Sequence, residues 1–214
     1  MKFLAVDTAN EYMCVLAYNE GKTASAFLPD CSMRHSTEIM KQVDAVLSES
    51  GLTLRECDFF SAVVGAGSFT GIRIGISAVK GFCLAFGKPA LPVTSFEVAA
   101  YNALEAGEKS LCLVDALHDA YYVCGFDDKM QVVQQPAYLT EEEVLALAGN
   151  EYTLRAVCVR EELTLGIAEK MTVKACNPVT GLLQAVLAKA QKSEFAPLDA
   201  LYVRKSSAEL NLGK

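Results

Sequence analysis

Apolar and polar residues change period repeatedly along the chain, and each change marks an element. Residues 3–6 (Phe-Leu-Ala-Val) are a continuous apolar run ending at Asp7, the pattern of a central strand buried on both faces. Residues 7–10 turn the chain, "YMCVLAY" returns it, and "NEG" turns it again, which predicts an antiparallel meander of three strands. In "HSTEIMKQVDAVLSES", Ile39, Met40, Val43, Val46 and Leu47 recur at helical spacing, so a helix over 36–50 buries one face. Ser36 or Thr37 is its expected N-cap and Gly51 its stop. "FFSAVVG" predicts a strand, residues 69–86 a nearly all-apolar helix, and "KPALPV" a short strand whose prolines place it at an edge or a strand end. "TSFEVAAYNALEA" predicts a third helix, capped by Thr94 or Ser95 with Glu97 closing a capping box.

The pattern then restarts. "SLCLVDALHDAYYVCGFDDKM" has the layout of "FLAVDTANEYMCVLAYNEGK", and Asp115 falls where Asp7 does. Thr140 leads three glutamates into a helix, residues 152–159 read as a strand, 160–171 as a helix, and Pro178 opens another helix. The last ten residues, 205–214, read as a tail. The order β-β-β-α-β-α-(β)-α followed by β-β-(β)-α-β-α-α is an internal duplication, which predicts two similar α/β lobes. Their boundary is expected near Ala106 to Ser110, giving lobes of residues 1–106 and 107–214.

Composition narrows the function. With 214 residues, 52% of them hydrophobic and 21% charged, the chain builds a real core and is not disordered. A net charge of -7, with no basic run longer than Arg204-Lys205, disfavours nucleic-acid binding by this chain alone. Arg34, Arg73 and Arg204 are what it could add to a positive groove shared with another protein. None of the 8 cysteines forms a C-x-x-C pair and only 2 histidines exist, so neither zinc nor any other metal is expected. Cysteines within apolar runs read as reduced packing residues. The first apolar run stops too early for a signal peptide, and Arg73 and Lys80 interrupt helix 69–86. The expected location is the cytoplasm, with no membrane contact.

The glycine turn "GAGSFTG" poses the chemical question. A strand, a glycine turn and a helix N-terminus are the setting of a phosphate site. That reading makes Asp7, Gly65, Gly67 and Ser68 a vestigial nucleotide or phosphate site. However, the P-loop and the dinucleotide fingerprint both fail, for no lysine follows until Lys80 and residue 70 is threonine. The other reading is packing. Gly71, Gly75 and Ala78 share one helix face, and Phe82 extends it. Glycine inside a helix costs about 1 kcal/mol against alanine, which a close contact must offset. On this reading a second helix approaches there, and a large residue at Gly75 blocks that contact without unfolding the chain. Asp7 and Asp115 close their strands as Asx-type turns or, alternatively, hold a metal through water. His35 and Ser36 are too close in sequence to form a dyad. His35 reads as a cap or interface residue, and nothing brings His118 to it.

Taken in order, "FLAVDTA", "RHSTEIMKQVDAVL", "DFFSAVVGAGSFTGIRIGISAVKGFCLAFGKP", "VTSFEVAA", "VDALHDAYYVCGF" and "ALYVR" resemble the TsaB (YeaZ) family over essentially the whole chain. That family is the bacterial subunit of the tRNA threonylcarbamoyladenosine modification system. "GAGSFTGIRIG" is the most specific part, although the family usually has proline where this chain has Ala66. The resemblance implies two RNase H-like lobes of the actin-like ATPase (sugar kinase/Hsp70) superfamily, the second reduced. It implies a non-catalytic subunit without cofactor, since the helix holding His35 lacks the second metal-binding histidine of the catalytic subunit TsaD. The implied partners are a TsaD-type catalytic subunit and a TsaE-type ATPase, with tRNA reached only through the complex. Alone, the chain is expected to form a homodimer through the same surface. The implied partner-binding residues are His35, Ile39, Met40 and Val43 on the first helix. On the second they are Gly71, Ile72, Gly75, Ile76, Ala78, Val79 and Phe82. The alternative is a small ATP-binding phosphotransferase or ATPase of the same superfamily, using Asp7, Asp115 and the glycine turn.

Overall fold

Three strands open the chain, as the alternation requires: β1 (Lys2–Asp7), β2 (Met13–Asn19) and β3 (Lys22–Leu28). They pair antiparallel, β1 with β2 from Lys2↔Asn19 to Asp7↔Cys14 and β2 with β3 from Asn19↔Lys22 to Met13↔Leu28. Helix α1 (His35–Ser50) carries the chain to β4 (Phe59–Val63), and α2 (Phe69–Phe86) carries it to β5 (Ala90–Val93). β4 runs parallel to β1 and β5 parallel to β4, so the sheet order is β3-β2-β1-β4-β5. Parallel neighbours require crossovers of this kind. Central β1 is buried along residues 3–7, which is why its sequence is apolar without alternation. The computed structural model describes residues 1–103, 109–116, 120–148 and 176–204. The strand expected at 152–159, the helix at 160–171, the tail, His118 and Cys158 lie outside the described residues.

The helix ends follow local chemistry, with one correction. α1 starts at His35, its N-cap is Arg34, and no side chain caps it; neither Ser36 nor Thr37 has that role. The preceding turn, closed by Arg34 N–H to Cys31 O at 2.7 Å, winds directly into the helix. Ser36 and Thr37 therefore already lie in its first turn. Gly51 stops α1 at φ 68°, as expected. At α2 the cap is Ser68, whose hydroxyl accepts from Gly71 N–H at 3.3 Å, and Gly87 closes the helix at φ 63°.

Beyond β5 come α3 (Ser95–Ala103), β6 (Ser110–Asp115), β7 (Ala120–Phe126), β8 (Val132–Thr140), α4 (Glu141–Ala148) and α5 (Pro178–Gln191). Strands β6, β7 and β8 form a second antiparallel meander. Asp115 ends its first strand opposite Tyr121, as Asp7 ends β1 opposite Cys14. Leu111, Leu113, Tyr121, Val123, Val144 and Ala148 form a core under it. Thr140 caps α4 as expected, its N–H donating to the Glu143 carboxylate at 2.8 Å and its hydroxyl accepting from Glu143 N–H at 3.3 Å. Asn177 caps α5 through Thr180 N–H at 3.1 Å.

The chain divides into two compact units, Met1–Thr94 with Leu182–Leu201, and Ser95–Gly181 with Tyr202–Lys214. This differs from the expected cut at 106/107. α3 packs on β6, so it belongs with the second sheet. Later the chain returns to the first unit, where Ala196 N–H donates to Ala90 O at 3.1 Å, Leu201 N–H to Val64 O at 2.7 Å, and Leu198 is buried. The cysteines Cys14, Cys31, Cys57, Cys112 and Cys124 are buried. Burial pushes the Cys57 and Cys124 thiols up to about 12, so they stay protonated packing groups.

α2 is long and apolar enough, by length and composition, to cross a membrane. In the fold, its Gly71, Ile72, Gly75, Ile76, Val79 and Phe82 are buried. A Cβ at Gly71 would overlap the carbonyl oxygen of Thr8, and one at Gly75 would lie 2.5 Å from Thr8 Oγ1 and 3.8 Å from Val6 Cγ1. Gly81, on the same helix, has nothing within 4 Å of that position. The two glycines thus predict opposite outcomes on thermal melting. Gly75→Ala is expected to lose about 1–3 kcal/mol to overpacking, whereas Gly81→Ala gains roughly 0.5–1 kcal/mol from helix propensity. Equal melting temperatures for the two variants would contradict the packing described.

Candidate functional site

The glycine turn is built first, because an anion site there would mean an enzyme. Gly65 (φ 125°) and Gly67 (φ 147°) have backbone conformations that side chains resist. A Cβ at Gly65 would overlap the Leu201 carbonyl oxygen, and one at Gly67 that of Ala9. Ser68 N–H donates to Ala9 O at 2.6 Å, Gly71 N–H to the Ser68 hydroxyl, and Ile72 N–H to Ser68 O at 2.9 Å. The N–H groups of Ser68, Gly71 and Ile72 are therefore taken by the chain itself, and the β1–β2 connection packs against Gly67.

Asp7 is fully buried behind that turn. Its Oδ1 accepts from Ala9 N–H at 2.9 Å and its Oδ2 from the Tyr12 hydroxyl at 2.6 Å. Burial pushes its carboxyl up, against the pull of those two hydrogen bonds and of His35. This is an Asx-type turn within the core, and the water-held metal alternative loses its basis here because both oxygens face protein donors. The residues of the expected vestigial site, Asp7, Gly65, Gly67 and Ser68, are spread from the core to the surface: Asp7 and Gly65 are buried, Gly67 is half-buried and Ser68 is exposed. His35 is also internal. It is 3% exposed, with Nε2 3.0 Å from Tyr12 O and Nδ1 3.2 Å from Ser32 O. It fixes α1 to the β1–β2 connection and is not a surface residue.

The remaining candidate is the outer surface of α1 and α2. Most residues expected to touch a partner point inward: Ile39, Val43, Gly71, Ile72, Gly75, Ile76, Val79 and Phe82 are buried against their own unit. The reason is that the Gly71–Gly75 stripe accommodates Thr8 of the same unit, so the sheet takes the place of the expected second helix. Met40 is 46% exposed and Ala78 half-buried; these two remain at the surface. Sequence reasoning missed the opposite stripe of α2. Thr70, Ser77, Gly81, Leu84 and Ala85 are exposed there, with Leu84 at 88%. The signal was present as small residues four apart, Ser77, Gly81 and Ala85, out of phase with Gly71 and Gly75.

An open groove of about 500 Å³ separates the two helices, lined by Ser36 and Ile39 of α1 and by Phe69, Thr70, Arg73, Ile74 and Ser77 of α2. The Arg73 guanidinium carbon sits 3.7 Å from the Phe69 ring centroid. Of the other two arginines singled out, Arg34 donates to Asp30 O on the same unit. Arg204 stacks over Tyr138 in the second unit and donates to its hydroxyl at 3.2 Å.

Known proteins resemble this chain consistently. Residues 27–209 match the family described as TsaD, tRNA N6-adenosine threonylcarbamoyltransferase. The tRNA threonylcarbamoyladenosine biosynthesis protein TsaB of Escherichia coli is 35% identical over 103 residues, covering 48% of this chain and 44% of that protein. A tRNA N6-adenosine threonylcarbamoyltransferase of Chelativorans is 35% identical over 77 residues, covering 36% of this chain and 21% of that protein. The chain spans about half or less of the length of the curated TsaB relatives it matches, 39% to 52%. Among solved structures, YeaZ from Pseudomonas aeruginosa superposes with a TM-score of 0.78 at 24% identity, over 94% of this chain and 99% of that one. The fold is that of YeaZ, with two RNase H-like α/β lobes. Among the described residues the second lobe has three sheet strands against five in the first.

The buried junction predicts a pH effect. Because Asp7 is raised in the fold above its ordinary 3.8, its contribution to stability is full below that value and is lost as pH rises through the folded value. The stability of the native chain relative to Asp7→Asn is therefore expected to fall as the pH rises above 3.8. Denaturant melts of both proteins at several pH values check this; a difference that stays constant or grows with pH contradicts it.

Proposed function

The chain belongs to the TsaD family, among its TsaB (YeaZ) members, and on that premise we propose that it is the non-catalytic partner of a TsaD-type catalytic subunit. Together the two transfer a threonylcarbamoyl group to the adenosine adjacent to the anticodon of tRNA. One observation carries the reading. α2 turns a stripe of small residues and the bare side chain of Leu84 to solvent, beside the groove it forms with α1, while the turn that could hold a nucleotide is filled from within. Exposed apolar side chains next to small ones allow a second helix pair to approach closely. A subunit with a closed glycine turn contributes shape and contact to the complex and no chemistry of its own.

The docking surface is the face comprising Met40, Ile74, Ser77, Ala78, Gly81 and Leu84. A TsaE-type ATPase joins the assembly, tRNA is met through the complex, and the work is done in the cytoplasm without membrane contact. In the absence of its partner the chain pairs with a second copy through the same face, since a relative of similar shape can stand in for it.

Reconstitution tests the role: tRNA modification by the TsaD-containing mixture is expected to stop when this chain alone is omitted, and continued modification refutes it. Point variants test the surface. Gly81→Leu and Leu84→Asp are each expected to weaken TsaD binding about ten-fold or more, equivalent to about 1.4 kcal/mol, with far-UV circular dichroism and melting unchanged. Full-affinity binding by both variants would exclude this face.

A further inference from the structure

We infer, on the basis of the self-pairing proposed above, that the second copy docks about a two-fold axis running along the helices. α1 of each copy then lies on α2 of the other, and Asp44 meets Lys80 of the other copy at two symmetric places.

The two helices run the same way and start level. β3 is antiparallel to β2 and β2 to β1, while β4 is parallel to β1 and β5 to β4. α1 leads from β3 to β4 and α2 from β4 to β5, so each helix runs back against the strands it joins. Ser36 and Thr70, each in the first turn of its helix, line the same groove. Asp44 follows Ser36 by 8 residues and Lys80 follows Thr70 by 10, which sets them about 12 and about 15 Å further along.

The charges on the two helices differ in sign. α2 carries Arg73 and Lys80 and has no Asp or Glu in its 18 residues. On α1, Lys41 is taken by Glu38 at 2.9 Å, which leaves the exposed Asp44 and Glu49 as its other charges. Asp44 and Lys80 are both exposed and form no ion pair among the described residues. Two helix pairs lying face to face close about a two-fold axis in two ways. With the axis across the helices, α1 meets α1 and α2 meets α2, each against its own sign. With the axis along the helices, the acidic α1 meets the basic α2 twice, and residues at one level stay at that level. Complementarity selects the second arrangement, and it sets Asp44 opposite Lys80. A second copy presents both helices at the spacing and with the charges that this requires. Met40, Gly81 and Leu84, exposed on the same helices, supply the apolar contact, and the charges orient it.

The test follows self-pairing of the full chain by sedimentation velocity at about 50 and about 300 mM salt, which differ in screening length. Lys80→Glu and Asp44→Lys are each expected to weaken pairing about ten-fold at low salt, because each reversal sets like charges together at both symmetric places. The loss is expected to shrink at high salt. An equimolar mixture of the two variants is expected to pair as tightly as the native chain, since both contacts of the mixed pair again join opposite charges. Native mass spectrometry then shows mixed dimers in excess over either self-pair. Single variants that pair like the native chain, a loss of equal size at both salts, or a mixture that pairs no better than its components overturns the inference. Leu84→Asp separates the two levels. Should it pair normally, the docking face itself is wrong; should it dissociate while the charge variants pair normally, only the two-fold arrangement is wrong. A native chain that stays monomeric at every concentration overturns both the self-pairing and its arrangement.

Discussion

The first unit depends on how closely α2 lies against β1. Thr8 sits just past the end of β1, its hydroxyl donates to Gly71 O at 2.7 Å, and glycine at 71 and 75 leaves room for it. No other residue type fits at 71, where a Cβ would meet a backbone carbonyl that has nowhere to move. This one contact fixes the rotation of α2 about its axis. With Gly71 and Gly75 turned to the sheet, Ile72, Ile76 and Val79 are drawn into the core, and Thr70, Ser77, Gly81 and Leu84 are left outside. The proposed docking face is thus set by the packing on the opposite side of the same helix.

Much of the fold was legible because its signals are local. The apolar run at residues 3–6, the stop at Gly51, Thr140 at the head of α4 and the repeated strand-aspartate-turn each depend on residues a few positions apart. The division into units was not legible, because it rests on long-range pairing. α3 chooses β6 over the strands before it, and residues 182–201 return to the first sheet. Neither event leaves a mark in composition.

At the candidate site the sequence located both helices but not which of their faces the fold buries. Helical periodicity shows that Gly71 and Gly75 share a face, but it does not say whether that face meets a sheet or a partner. The answer lay in Thr8, 63 positions from Gly71. His35 shows the same limit: its spacing suited an interface, yet two carbonyls at 3.0 and 3.2 Å hold it in the interior. The packing reading of the glycine turn, by contrast, rested on residues absent from the sequence, and the carbonyls of Ala9 and Leu201 supply the physical reason for it.

The return of residues 182–201 has a consequence for how the protein is made. The first unit is interrupted, with residues 95–181 of the second inserted between its two segments. A ribosome therefore releases β1 to β5 long before the stretch that supplies the hydrogen bonds to Ala90 and Val64. During translation, the inserted lobe has all of its described strands available while the outer one still waits for its closing segment. The unit that begins first is thus closed only once residues 182–201 have been made, after every described strand of the other.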